Sequence, residues 1–105
     1  MNKGLVHCCG VFAGTIKYQD GGYVFSYDDD YLNNSSLPPI AFSFPKRKLE
    51  YRSDVLFPFF YGLLAEGADK AVQCATLRID EDDHFTRLLK TAGETIGAIT
   101  IKEAT

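Results

Sequence analysis

Three runs of β-forming residues, separated by turns that contain glycine, open the chain and limit the folds that it can adopt. The runs cover residues 5–9, 11–18 and 23–27, and their branched and aromatic side chains favour strands. Asp20, Gly21 and Gly22 separate the second run from the third, and glycine accepts the positive φ that a tight turn requires. The pattern predicts an antiparallel meander of three strands.

The rest of the sequence predicts helices and two more strands. Aspartates at 28–30 suit the start of a short helix over 28–32, because carboxylates there cap free amides and meet the positive end of the helix dipole. Residues 33–39 predict a loop, and the apolar alternation over 40–44 predicts a fourth strand with one face inward. Residues 96–101 predict a closing strand. Helices are also predicted over three later segments: residues 57–65, 68–77 and 84–90.

This order of elements, strands followed by helices and a last strand, indicates an α+β fold. The expected architecture is a small antiparallel sheet of about five strands with two to four helices. The 105 residues are enough for a single domain, residues 1–105, with a core of its own.

The helix predicted over 57–65 is the most aromatic part of the chain. Pro58 lacks an amide donor and fits the first turn of a helix, while Gly67 is expected to end it. Since neighbouring helical side chains point about 100° apart, one face cannot bury all of the rings at positions 57, 59, 60 and 61. Either the rings pack beneath other loops of the same domain, or one or two of them form the apolar centre of a protein interface. The apolar residues at helical spacing are Leu56, Phe59, Phe60, Leu63 and Leu64.

Charge and composition argue against several function classes. The formal net charge is −3, so the chain lacks the basic footprint of a protein that binds nucleic acid directly. A local basic cluster at 46–48, with Arg52, is typical of a solvated loop. No apolar stretch is long enough to span a bilayer, and no signal peptide is recognisable. Three cysteines make a poor disulfide framework, and together these features predict a cytoplasmic protein.

Metal and catalytic motifs are not evident either. Zinc ligands usually come in pairs two to four residues apart, whereas Cys8 and Cys9 are neighbours that a strand points to opposite faces. The acidic runs at 28–30 and 80–83 do not follow the ligand spacing of a calcium loop, and the glycines form no phosphate-binding motif. We therefore predict no cofactor, no metal and no catalytic residue. A small metal or thiol protein built on its cysteines and histidines remains an alternative; the candidate side chains are His7, Cys8, Cys9, Cys74 and His84.

Four segments in the same order resemble the N-terminal domain of HipA-type Ser/Thr toxin kinases. Residues 57–67 are similar to that family's paired aromatics, two leucines and Pro-Glu-Gly, although Ala65 stands where proline is usual. Residues 13–27 resemble its opening hairpin, 37–45 its segment that ends in Ser-x-Pro, and 91–99 its closing Gly-x-x-x-Gly-Ala. The resemblance covers nearly the whole chain.

In that family the domain precedes a larger kinase domain, which carries the ATP site, the catalytic aspartate and the metal ligands. The resemblance therefore implies a stand-alone, non-enzymatic domain, the HipS-like component of a split toxin–antitoxin system. Such a domain docks on a separately encoded HipA-like kinase and inhibits it. An alternative is that it completes and activates the split kinase. The expected partner-binding residues are Phe57, Phe59, Phe60, Leu63, Leu64, Glu66 and Gly67.

Two further partners are expected, the first from the resemblance and the second from the aromatic residues. A helix-turn-helix DNA-binding protein is expected to join through the complex with the kinase. An aromatic surface left without its partner is expected to let the isolated domain form a homodimer.

Overall fold

The computed structural model describes residues 3–64, 67–91 and 98–104, which contain five strands and four helices. The strands are β1 (Lys3–Cys8), β2 (Val11–Gln19), β3 (Gly22–Tyr27), β4 (Glu50–Ser53) and β5 (Ile99–Glu103). The helices are α1 (Asp29–Asn33), α2 (Pro58–Tyr61), α3 (Gly67–Leu77) and α4 (His84–Thr91). The sheet has the order β4-β3-β2-β1-β5, and every neighbouring pair is antiparallel. The predicted α+β class and the opening meander are confirmed.

Tight turns explain why the first three strands follow one another so closely. Asp20 and Gly21 both have positive φ, 55° and 77°, between β2 and β3. Two successive residues with positive φ match the right-handed twist of a hairpin. Gln19 pairs with Gly22 directly across this turn.

The core lies on one face of the sheet. Val6, Ile16, Phe25 and Ile101 point inward from four neighbouring strands and are fully buried. The α4 helix covers the centre of this face, because a Cβ placed on Gly4 of β1 would come within 2.7 Å of a Leu89 methyl group. The remaining cover comes from α1, α2 and the irregular segment of residues 34–49, which we call the 34–49 loop.

The strand predicted over 40–44 is wrong, because these residues belong to the 34–49 loop. The strand that pairs with β3 is β4, which begins at Glu50. Two prolines at 38 and 39 remove amide donors just where a ladder would begin. The amide of Phe44 then donates to the carbonyl of Ala41 at 3.1 Å, which closes a turn in place of a strand.

The helix predicted over 57–65 is also shorter than expected, since α2 ends at Tyr61. The amides of Leu63 and Leu64 bond three residues back, each at 3.1 Å, so the chain tightens into a turn. Gly67 begins α3 instead of ending the preceding helix.

The other predicted helices are confirmed as α1, α3 and α4. The acidic run before α4 provides its cap, because the Asp83 carboxylate accepts a hydrogen bond from the Thr86 amide at 3.2 Å. Asp28, by contrast, makes no side-chain cap bond to α1. The closing strand is confirmed as β5, although it begins at Ile99; residues 92–97 lie outside the described residues.

Candidate partner-binding surface

Three of the expected partner-binding residues are part of the domain's own core. Phe60 is fully buried, and Phe57 and Leu64 retain less than a tenth of their exposure. The ring centroid of Phe60 lies 5.7 Å from that of Phe25 on β3 and 5.6 Å from that of Phe44 in the 34–49 loop. These side chains hold the surface in place from beneath and are not themselves accessible to a partner.

The exposed part of this segment lies around α2. Phe59 and Leu63 are half-buried against the core, and Gly67 is exposed at the start of α3. Tyr61, which the expected set left out, is 39% exposed, and its ring meets the edge of His84 on α4 at 4.9 Å. We call Phe59, Tyr61, Leu63 and Gly67 the α2 surface. Glu66 lies outside the described residues.

The 34–49 loop lies against α2 through one ring. Phe44 is 2% exposed, and its centroid is 5.1 Å from that of Phe57 and 6.1 Å from that of Phe59. Phe42, two residues earlier, is completely exposed. The apolar alternation at 40, 42 and 44 predicted all three side chains on one inward face, and this signal concealed the exposure of Phe42.

Tyrosine hydroxyls fasten this loop to the rest of the domain. The Tyr27 hydroxyl accepts the Ile40 amide at 3.0 Å and donates to the carbonyl of Phe44. The Tyr31 hydroxyl donates to the carbonyl of Pro38 at 2.5 Å. Burial raises the pKa of Tyr27 and of Tyr31 above that of a free tyrosine, so both hydroxyls remain able to donate up to a higher pH.

The basic cluster is divided between two roles. Lys46 is structural, because its ammonium donates to the carbonyls of Asn34 at 2.7 Å and Leu37 at 2.9 Å and lies over the Tyr31 ring. Arg47 and Lys48 are exposed on the loop. Arg52, on β4, pairs with the Glu50 carboxylate at 2.5 Å. Lys46 and Arg52 are therefore already engaged by groups of the domain itself.

The cysteines do not form an activated thiol site at the start of the chain. Cys8 is buried at the end of β1, and Cys9 is exposed in the turn that follows, where its φ is 56°. The prediction that a strand points them to opposite faces is wrong, because Cys9 lies outside the strand and the two sulfur atoms are 3.9 Å apart. The hydrogen bond with Cys8 raises the pKa of the Cys9 thiol, whereas a reactive cysteine needs a lowered pKa. Within residues 3–64, 67–91 and 98–104, no three His, Cys, Asp or Glu side chains cluster closely enough to hold a metal ion. None of the described helices is long and apolar enough to cross a membrane.

The chain matches the family model of the HipA N-terminal domain over residues 5–102. A solved structure of the N-terminal domain of HipA toxin is 32% identical and superposes with a TM-score of 0.74, covering 100% of this chain and 94% of that one. An uncharacterized protein of Haemophilus influenzae is 36% identical over 103 residues, which are 98% of this chain and 93% of the relative. "Putative kinase Y4mE" of Sinorhizobium fredii is 29% identical over 79 residues, which are 75% of this chain but only 19% of that relative.

Proposed function

Because this chain belongs to the HipA N-terminal domain family, we propose that it is a non-catalytic binding module for a separately encoded HipA-like Ser/Thr kinase. In this proposal it docks on the kinase and inhibits it, as one part of a toxin–antitoxin system in the bacterial cytoplasm. A helix-turn-helix DNA-binding protein joins through the kinase.

The observation that carries the proposal is the occurrence of the same domain in two settings. It spans nearly the whole Haemophilus relative but only about a fifth of the Sinorhizobium relative. Domains that share a chain usually meet over an interface like that between two transient protein partners. A related domain on a separate chain would keep that surface and could bind the kinase from outside.

The α2 surface is the part of this chain best placed for such docking. Buried aromatic rings support this surface. Phe57 and Phe60 are buried beneath it, and the ring centroid of Phe59 lies 5.2 Å from that of Phe60. A surface held rigid before binding loses less conformational freedom when the complex forms. Tyr61 presents a large ring with a polar tip, the kind of side chain that is enriched where interfaces are strongest.

Inhibition follows if the module binds an inactive arrangement of the kinase more tightly than the active one. Differential affinity shifts the kinase population towards the inactive form, by about tenfold for each 1.4 kcal/mol of difference. Binding both arrangements equally would leave the activity unchanged however tight the complex.

Co-expression with a HipA-like kinase from the same genome, followed by affinity purification and a phosphorylation assay, tests the proposal. Co-purification with lowered phosphorylation is the expected result. Co-purification with raised phosphorylation would support the alternative, a domain that completes and activates the kinase, which the single-chain arrangement of the Sinorhizobium relative favours. Failure to associate with the kinase would overturn the binding role altogether.

A matched pair of tyrosine variants tests whether Tyr61 contacts the kinase. Tyr61→Ala should weaken kinase binding without changing the melting temperature by more than a few degrees. Tyr18→Ala is the control, because Tyr18 is similarly exposed, 41% against 39%, but lies on β2. Equal binding by both variants would remove Tyr61 from the contact.

A further inference from the structure

Phe42 occupies an unusual position for a large apolar side chain. It is fully exposed, while its neighbours in the alternation, Ile40 and Phe44, are 7% and 2% exposed. The hydrogen bond from the Phe44 amide to the Ala41 carbonyl closes a four-residue turn, and Phe42 is its second residue. We infer that Phe42 is a preformed anchor that inserts into an apolar pocket, rimmed by carboxylates, on the partner protein.

This inference rests on the proposed function, because the partner in question is the HipA-like kinase. It adds a contact residue outside the segment 57–67, which sequence patterns singled out. The argument depends on the rigidity of the loop, on its charge and on its position beside α2.

Hydrogen bonds on both sides hold the turn that carries Phe42. Before it, the Tyr31 hydroxyl donates to Pro38 at 2.5 Å and the Tyr27 hydroxyl accepts the Ile40 amide at 3.0 Å. After it, the same Tyr27 hydroxyl donates to Phe44. An irregular segment held at so many points presents Phe42 in a fixed place, which lowers the entropy lost on binding. An exposed aromatic ring on a rigid support is the usual form of an interface anchor.

The charges near the anchor indicate the chemistry of the pocket. Arg47 and Lys48 are exposed within six residues of Phe42, whereas Lys46 is occupied with loop carbonyls. The Lys48 ammonium is 4.0 Å from Asp29 at an exposed site, a distance and setting that contribute little. Two exposed cations, five and six residues along the same loop from an exposed apolar ring, complement a partner surface that combines apolar and acidic groups.

The overall charge favours a protein over other partners. With a net charge of −3, the chain as a whole is repelled by nucleic acid and by anionic lipid, and two loop cations do not make a basic footprint. The loop is also continuous with the α2 surface, since the Phe44 ring contacts the Phe59 ring at 6.1 Å. The loop that carries Phe42 is therefore in contact with α2 through Phe44, which is consistent with one partner covering both.

The test measures kinase binding by the full chain and by Phe42→Ser, using calorimetry with the co-expressed HipA-like kinase. We expect the dissociation constant to rise roughly 30-fold or more, as for an interface hot spot. The melting temperature should not fall, because the Phe42 side chain is fully exposed. Val72→Ser is the matched control, since Val72 is also exposed, at 65%, but lies on α3.

Charge reversal tests the rim of the pocket. Arg47→Glu should weaken binding up to about fivefold at low salt and less at high salt, where exposed charges are screened. Lys102→Glu makes the same change on β5 and should have a smaller effect. An equal effect of the two reversals would overturn the acidic rim.

Other results separate this inference from the function on which it rests. If the wild-type chain binds the kinase and Phe42→Ser binds it equally well, the anchor is overturned and the binding role stands. If the wild-type chain does not bind the kinase, both fall. A homodimer in sedimentation that Phe42→Ser dissociates, with kinase binding unchanged, would make a second copy the occupant and overturn the inference. The inference would also be overturned if Phe42→Ser lost binding to phosphatidylglycerol vesicles while its binding to the kinase was unchanged.

Discussion

The hydroxyl of Tyr27 donates a hydrogen bond to the carbonyl oxygen of Phe44, 17 residues further along the chain. The same hydroxyl accepts the amide of Ile40 at 3.0 Å. One side chain of β3 thus satisfies two buried backbone groups of the 34–49 loop. This contact holds the 34–49 loop against β3, and Phe42 lies exposed in the turn between the two bonded residues.

Tyr27→Phe should therefore destabilise the domain. The substitution keeps the ring but leaves the Ile40 amide and the Phe44 carbonyl without their partner in a buried place, at a cost of roughly 1–3 kcal/mol. For a domain of this size each kcal/mol lowers the melting temperature by roughly 4–8 °C. Thermal and denaturant unfolding measure the loss. The control is Tyr18→Phe, which removes an exposed hydroxyl, and a drop of the same size in that variant would contradict the role of Tyr27.

Stability should also fall in alkaline solution. Burial raises the pKa of Tyr27, partly offset by the hydrogen bond from the Ile40 amide, and burial raises that of Tyr31 as well. An unfolded tyrosine loses its proton near pH ~10, before the folded one does. Stability from these residues is therefore complete below that pH and is lost as the pH rises towards the folded pKa.

Denaturant unfolding on both sides of that pH measures the effect, with ultraviolet absorbance reporting tyrosinate. Lysines also titrate in this range, so the informative quantity is the difference between the wild-type chain and Tyr27→Phe. The free energy of unfolding should fall less steeply with rising pH in Tyr27→Phe than in the wild-type chain. Parallel pH profiles would show that Tyr27 does not contribute.

Gly14→Ala should damage the sheet, and the structure explains why this position accepts no larger residue. A Cβ at Gly14 would lie 2.2 Å from the Ser26 carbonyl oxygen and 2.9 Å from the Tyr27 Cα, both backbone atoms of β3. The two strands would have to separate, at a cost of roughly 1–3 kcal/mol or more. Gly62→Ala is the comparison, because its nearest neighbours are 3.4 Å away and its φ is an ordinary −65°. In denaturant unfolding, the free energy of unfolding of Gly14→Ala should be well below that of Gly62→Ala. The reverse order would contradict the close approach of Gly14 to the backbone of β3.

Phe60→Ala should act on folding before it acts on binding. Deleting a fully buried phenylalanine costs roughly 3–5 kcal/mol, a large part of the stability of a small domain. Melting and kinase binding measured on the same samples separate the two effects. A Phe60→Ala protein that melts normally but binds the kinase weakly would make Phe60 a contact residue and would contradict its place in the core.

Local signals were enough for the elements whose structure depends on neighbours in the chain. The turn residues Asp20, Gly21 and Gly22 and the β-formers on either side predicted the hairpin correctly, and Asp20 and Gly21 both have positive φ in the structure. The acidic residues before His84 predicted the start of α4, where Asp83 caps the helix. The four ordered segments also predicted the HipA N-terminal family, which the match over residues 5–102 and the TM-score of 0.74 confirm.

Local signals failed where distant groups compete for the same backbone. The alternation at 40, 42 and 44 is the same in a strand and in the turn that forms, so the pattern could not distinguish them. The prolines at 38 and 39 disfavour the ladder, and the hydroxyls of Tyr27 and Tyr31 supply partners from elsewhere in the fold. Neither contribution follows from periodicity.

Short-range sequence patterns thus predict the fold class, the meander and the family, because turns, caps and strand-forming runs depend on neighbours a few residues apart. The division of the aromatic residues between core and surface is not, because it depends on which rings meet across the folded chain. Phe60 is buried because Phe25 and Phe44 surround it, and Phe42 is exposed because a turn held by Tyr27 directs it outward. Those contacts join residues that lie far apart in the chain, so they exist only once the sheet, α2 and the 34–49 loop have come together.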